Sequence, residues 1–339
     1  MTNPSQKKVG EQSFVLANCP VIITSASIVG PSEGQGPLSS YFDLTIEDEM
    51  WGEESWEKAE SKIVKETFLR ILSKGGVSEK DVDIILAGDL LNQCIAATFA
   101  FRGVDVPFLG LYGACSTIAE SICVGSMLVD GGFASKVVCM TSSHFCSAER
   151  QFRAPLDLGN QRAPGSQWTV TGSGGILLSN AGVGPKVTSV TLGKIVDLGV
   201  KDASNMGAAM APAAAYTIIT HLKDLGRTPD YYDKIFTGDL GLVGWKLCVQ
   251  LCDEQGYRIE EKLNDCGLLI FDIENQDVHA GGSGCGCSAS VFSGYVMEKF
   301  KLGEFKRILF VATGALFSPT SSLQGESIPG IAHAFSVEV

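Results

Sequence analysis

Apolar residues recur at spacings of three and four through Trp56, Ala59, Ile63, Val64, Phe68, Ile71 and Leu72. That period predicts an amphipathic helix over 54–73, stopped by Gly75-Gly76. Short apolar runs bounded by Gly, Ser and Pro predict strands over 20–25, 81–87, 107–112 and 136–141. Between the last two, a helix runs from Cys115 to about Asp130 and ends at Gly131-Gly132. The later part of the chain reads as a strand over 186–198, an Ala-rich helix over 208–225, a strand over 234–237 and a helix over 242–255. A strand over 266–273, a helix over 287–301, a strand over 307–313 and a final strand over 331–337 follow. The segment 150–170 is polar and irregular, and Gly172-Ser173-Gly174-Gly175 reads as a turn feeding a strand.

Two stretches repeat one pattern. Cys115-Ser116 opens one apolar helical run and Cys287-Ser288, 172 positions on, opens another. Thr141 and Thr313 end the strands that follow, and Gly88-Asp89-Leu90 and Gly238-Asp239-Leu240 precede the two runs. The chain is therefore an α/β protein built from two copies of one unit, with halves at 1–180 and 181–339. Strands alternating with helices imply mainly parallel sheets covered on both faces.

Composition narrows the function. A net charge of −12, with no Lys/Arg block or interleaved aromatics, excludes nucleic acid as a partner. The acidic stretch from Asp43 to Glu60 reads as a solvated helix face and loop. Residues 1–12 are polar and no long apolar run exists, so neither a signal peptide nor a membrane span is expected. Eleven scattered cysteines read as reduced, buried thiols.

Cys115 lies between a strand and a helix, where a helix N-terminus favours a thiolate or a bound anion. Cys285-Gly286-Cys287 follows Gly281-Gly282, with no second pair of ligands at metal spacing, so no metal and no cofactor is expected. His144 follows the 136–141 strand, at the end where α/β sites form, and Arg150 and Arg153 are candidates to pair with ligand carboxylates. His221 reads as a surface residue, His279 as a loop residue and His333 as core. Asp89 and Asp239, in the matching triplets, either point between the halves or cap helices.

Gly113-Ala114-Cys115-Ser116, the duplicated halves and the run from Gly281 to Ser290 resemble the thiolase superfamily. Within it the chain resembles the stage V sporulation protein AD family of spore-forming Firmicutes. The matching runs are 86–93, 113–117, 141–144 with 148–153, 210–215, 281–288 and 312–316. The resemblance implies a five-layer αβαβα fold and a role in spores. It implies binding of dipicolinic acid (pyridine-2,6-dicarboxylate) and its movement with calcium into the developing spore. It also implies work with small membrane proteins at the spore inner membrane, and a homodimer. Condensing enzymes of the superfamily pair the cysteine with His and Asn, or with two His. Here Asp239 stands at the first such position and the second falls near Cys285. An aspartate cannot donate to an enolate, so the resemblance points to a non-catalytic binder with Cys115 at the ancestral nucleophile position. The expected ligand set is Cys115, His144, Arg150, Asp89, Asp239 and Cys285. The competing expectation is a Cys-dependent acyltransferase or thioesterase using Cys115, with His144 as base.

Overall fold

A computed structural model of the chain describes residues 7–152 and 162–339. In the first half come β1 (Val21–Val29), α1 (Trp56–Gly75), β2 (Ile84–Gly88), α2 (Ile95–Ala100), β3 (Phe108–Gly110), α3 (Thr117–Asp130), β4 (Lys136–Ser143), α4 (Phe145–Phe152) and β5 (Gly172–Ser179). In the second come β6 (Lys186–Thr191), α5 (Met206–Leu225), β7 (Lys234–Thr237), α6 (Gly241–Glu254), β8 (Leu263–Asp265), α7 (Cys266–Leu269), α8 (Cys285–Val291), α9 (Met297–Lys301), β9 (Arg307–Ala315) and β10 (Gly330–Glu338).

The strand order is β1-β5-β4-β2-β3 in one half and β6-β10-β9-β7-β8 in the other. These are the same order. In each half the last strand runs against the other four. The sheets are therefore mixed, not mainly parallel, because β5 and β10 return antiparallel beside β4 and β9. The two sheets touch in the ladder at Val21 and Lys186.

Helices α3 and α8 lie between the sheets. α3 packs on β4 and β2 of its own half and on β9 and β10 of the other, while α8 packs on β4 and β5. Phe292, just past α8, meets Phe310 and Phe335 of the second sheet edge to face. α1 and α2 cover the outside of one sheet, and α5 and α6 the outside of the other. The result is five layers, αβαβα.

Several expectations from the patterning change, the 186–198 strand among them, which ends at Thr191. Residues 172–175 are not a turn but the start of β5, fully buried. A Cβ on Gly174 would lie 2.2 Å from the Ala289 carbonyl oxygen, so glycine here admits α8 against the sheet. The 266–273 run is not a strand. The strand is 263–265, and Cys266–Leu269 turns as a helix, since a short apolar run has no period to tell the two apart. The 287–301 helix contains a π segment at Phe292–Val296. The acidic stretch is not wholly solvated, because Glu60 is 1% exposed.

Nine of the eleven cysteines are buried and none is in a disulfide. Among the described residues, no helix is long and apolar enough to cross a membrane.

Candidate functional site

Beyond β3 the chain reverses through Gly113 and Ala114 into α3. Ala114 has φ +49°, a left-handed conformation that strains a residue carrying a Cβ. Three hydrogen bonds hold it there. Ser116 Oγ donates to the Gly113 carbonyl at 2.6 Å, Thr117 Oγ1 donates to the Ala114 carbonyl at 2.6 Å, and the Gly113 N–H donates to Thr117 Oγ1 at 3.0 Å. This turn sets Cys115 in the wall of a narrow cleft of about 40 Å³. That is room for about one water molecule.

Both halves line the cleft. Leu90, Tyr112 and Cys115 come from the first, as do Ala148, Glu149 and Phe152 of α4; Met206, Ala315 and Phe317 come from the second. Thr169 and Ser283 add two hydroxyls, held close by a short parallel ladder between 168–169 and 282–283. Among the described residues no Lys, Arg or His lines the cleft. A wider open groove of about 1130 Å³ lies elsewhere, between β1 and the helix over 293–302, and none of the candidate residues borders it.

Asp239 follows β7 and is fully buried. Its carboxylate accepts from the Gly284 N–H at 2.9 Å, from Thr313 Oγ1 at 2.8 Å, and from the Cys115 thiol. Burial pushes its pKa up to about 7 against the pull of those donors. Cys285 opens α8, and its Sγ donates to the Ala114 carbonyl at 3.4 Å. Burial, then the neighbouring Cys115, raises the Cys285 thiol well above its usual range. The structure thus brings Cys115, Asp239 and Cys285 together. Cys115 and Cys285 share one apolar cluster with Leu90 and Ala148.

The other three candidates lie apart from the cleft lining. Asp89 accepts from the Leu91 and Ala97 N–H groups, both at 2.8 Å, and so fastens the start of α2. Its neighbour Leu90 reaches the cleft instead. His144 Nδ1 accepts from the Cys146 N–H at 3.2 Å, which leaves Nε2 to donate to the Glu49 carbonyl at 2.7 Å. Burial lowers its pKa. Arg150 pairs with Glu57 and lies over the Trp56 ring. Arg153 lies outside the described residues.

His221 is not at the surface. It is buried between Thr191 Oγ1 at 2.7 Å and the Tyr232 hydroxyl at 2.6 Å. Burial, then the Arg227 charge, lowers its pKa to about 3, so it is a neutral structural group. His279 sits in a loop, and His333 is partly buried, its Nδ1 accepting from the Gly193 N–H. Sequence reasoning missed Glu149 and Phe152. The signal was there: Phe145, Ala148, Glu149 and Phe152 fall three and four apart on one face of a helix.

Two sheets with duplicated strand order, and a cysteine opening the helix between them, define a thiolase-like protein. Solved structures agree in fold. A 3-oxoacyl-[acyl-carrier-protein] synthase III from Aquifex aeolicus VF5 superposes with TM-score 0.53 at 12% identity, covering 94% of this chain and all of that one. A thiolase from Ascaris suum, solved with coenzyme A, superposes with TM-score 0.59 at 10% identity, covering 94% and 99%. The chain belongs to the Stage V sporulation protein AD family, matching it over residues 10–338. It is 45% identical over 333 residues to Stage V sporulation protein AD of Bacillus subtilis (strain 168), 98% of each chain. Membership makes it a sporulation protein.

Proposed function

We propose that this protein binds dipicolinic acid without transforming it, at the Cys115 cleft, for uptake into the developing spore. The observation that carries the reading is the Asp239–Cys115 hydrogen bond. A condensing enzyme needs donors around its cysteine. Here an acceptor receives the thiol's hydrogen bond, and a buried thiol stands at the other position. The acyl-transfer alternative needs His144 as base, and His144 is engaged with Glu49.

The cleft suits a planar aromatic acid. Tyr112, Phe152 and Phe317 offer ring contacts, and Thr169 and Ser283 offer hydroxyls. Of the candidate set, Cys115 makes the direct contact. Asp239 and Cys285 support it from behind, and Asp89, His144 and Arg150 act at most through the elements they fasten. A planar diacid is several times larger than the cleft, so α4 and the 316–318 segment part on binding. The Glu149 carboxylate in the wall repels a free dianion and favours the calcium salt. Calorimetric titration tests this. Dipicolinate binds wild type more tightly with calcium than without, and Cys115→Ala binds about tenfold more weakly. Absence of heat under both conditions would sink the reading.

The protein works with membrane proteins of the same transport system at the spore inner membrane, as a homodimer. Strand β3 is the open edge of its sheet, and Ile95, Phe99, Leu109 and Tyr112 beside it are each over 40% exposed. An apolar edge strand pairs readily with its own copy. Sedimentation of Leu109→Lys gives monomer where wild type gives dimer; identical behaviour of the two would discard this interface.

A further inference from the structure

Glu60 sits on α1 where that helix passes β4 and α4, and it is almost wholly buried. Ser142 Oγ of β4 lies 2.9 Å from Oε1, and Ser147 Oγ of α4 lies 2.8 Å from Oε2. Among the described residues no cationic side chain pairs with it. The groups that face it are Asp89 at the end of β2, Glu57 one turn earlier on α1, and the Cys285 thiol at the start of α8. From α4 and its approach, Arg150 is taken by Glu57 and His144 by Glu49. Burial, then the Asp89 charge, holds the Glu60 carboxyl up at about 8.

The α4 anchor sits next to the cleft lining: Ser147 is followed by Ala148 and Glu149, which line it, and the facing Asp89 is followed by Leu90, which lines it too. We propose that Glu60 is a positioning residue for the cleft: its side chain bridges β4 to α4 and holds the α4 wall where a ligand is received. Loss of the proton sets a second negative charge beside Asp89 in a buried space; the two serine hydroxyls offset only part of that cost, and the α4 anchor gives way. The affinity consequence rests on the ligand-binding reading above; the structural consequence does not.

Two measurements separate these. The first is amide hydrogen exchange over residues 145–152 in the ligand-free protein, corrected for intrinsic rates, from about pH 6.5 to about pH 9.5. Wild type loses protection as the pH rises to about 8 and levels off above it. Glu60→Gln, which keeps a neutral bridging group, holds its protection across the range, and Glu60→Ala is unprotected throughout. The second is titration of calcium dipicolinate over the same range. Affinity falls about tenfold in wild type and stays flat in Glu60→Gln. If Glu60→Gln loses protection with the same pH profile as wild type, the proposal is overturned. If exchange follows the expected pattern while no form of the protein binds dipicolinate, the positioning role stands and the ligand reading falls.

Discussion

A carboxylate one hydrogen bond from a cysteine changes what that cysteine can do. Cys115 has the turn, the helix and the strained neighbour of a nucleophile, yet its thiol donates to Asp239. A negative charge on that sulfur would face a buried negative charge. Removing the carboxylate charge therefore frees the sulfur: Asp239→Asn is alkylated at Cys115 by iodoacetamide about tenfold faster than wild type. Equal rates, read by mass spectrometry of the 115 peptide, would show that Asp239 does not restrain it. The repeat made Asp239 legible in the sequence, since its triplet matches the one at Asp89. It could not tell the two apart. Asp89 turns to backbone N–H groups of α2 and its approach, and Asp239 to the Gly284 N–H, the Thr313 hydroxyl and the Cys115 thiol, a difference set by what each half packs against. Glu60 was illegible, because an acid in an acidic amphipathic helix looks solvated until α4 covers it.

Helices and strands with a clear period were legible, and elements shorter than their own period were not. α1 begins and ends close to where its apolar spacing and Gly75-Gly76 place it. α7 has four residues, and nothing in four apolar residues distinguishes a turn of helix from a strand. α4 was passed over because polar residues hide its one buried face, and that cost the site Glu149 and Phe152. The glycines of β5 were misread as a turn because glycine marks both loops and close approaches. Their real role gives an expectation. In Gly174→Ala the new methyl meets the Ala289 carbonyl at 2.2 Å, and backbone cannot swing aside as a side chain would. Overpacking of this kind costs about 3 kcal/mol, a Tm loss on the order of 5 °C. An unchanged melting curve would mean that α8 is not seated on β5.

The molecule as a whole holds several carboxyl groups away from water. Glu33 is fully buried; its Oε1 accepts from the Thr171 N–H at 3.0 Å, and Oε2 is buried among the described residues with no partner. Burial, opposed in part by backbone N–H groups, lifts its pKa to about 8. An acid raised in the folded state stabilises the fold in full below its unfolded pKa, near 4.5, and that stability is lost as pH rises through 8. Between about pH 6.5 and about pH 8 this one group removes about 2 kcal/mol. Wild-type Tm therefore falls across the window, and Glu33→Gln falls less. Parallel profiles for the two proteins would remove Glu33 from the account.

The layer between the sheets belongs to neither half alone. α3 comes from the first unit and rests on strands of the second, while α8 comes from the second and rests on strands of the first. Each unit, cut free, would carry an apolar helix with one side bare and a sheet with one face uncovered. The two units therefore fold as a pair, and Asp239 of one meets Cys115 of the other at a layer that neither builds alone.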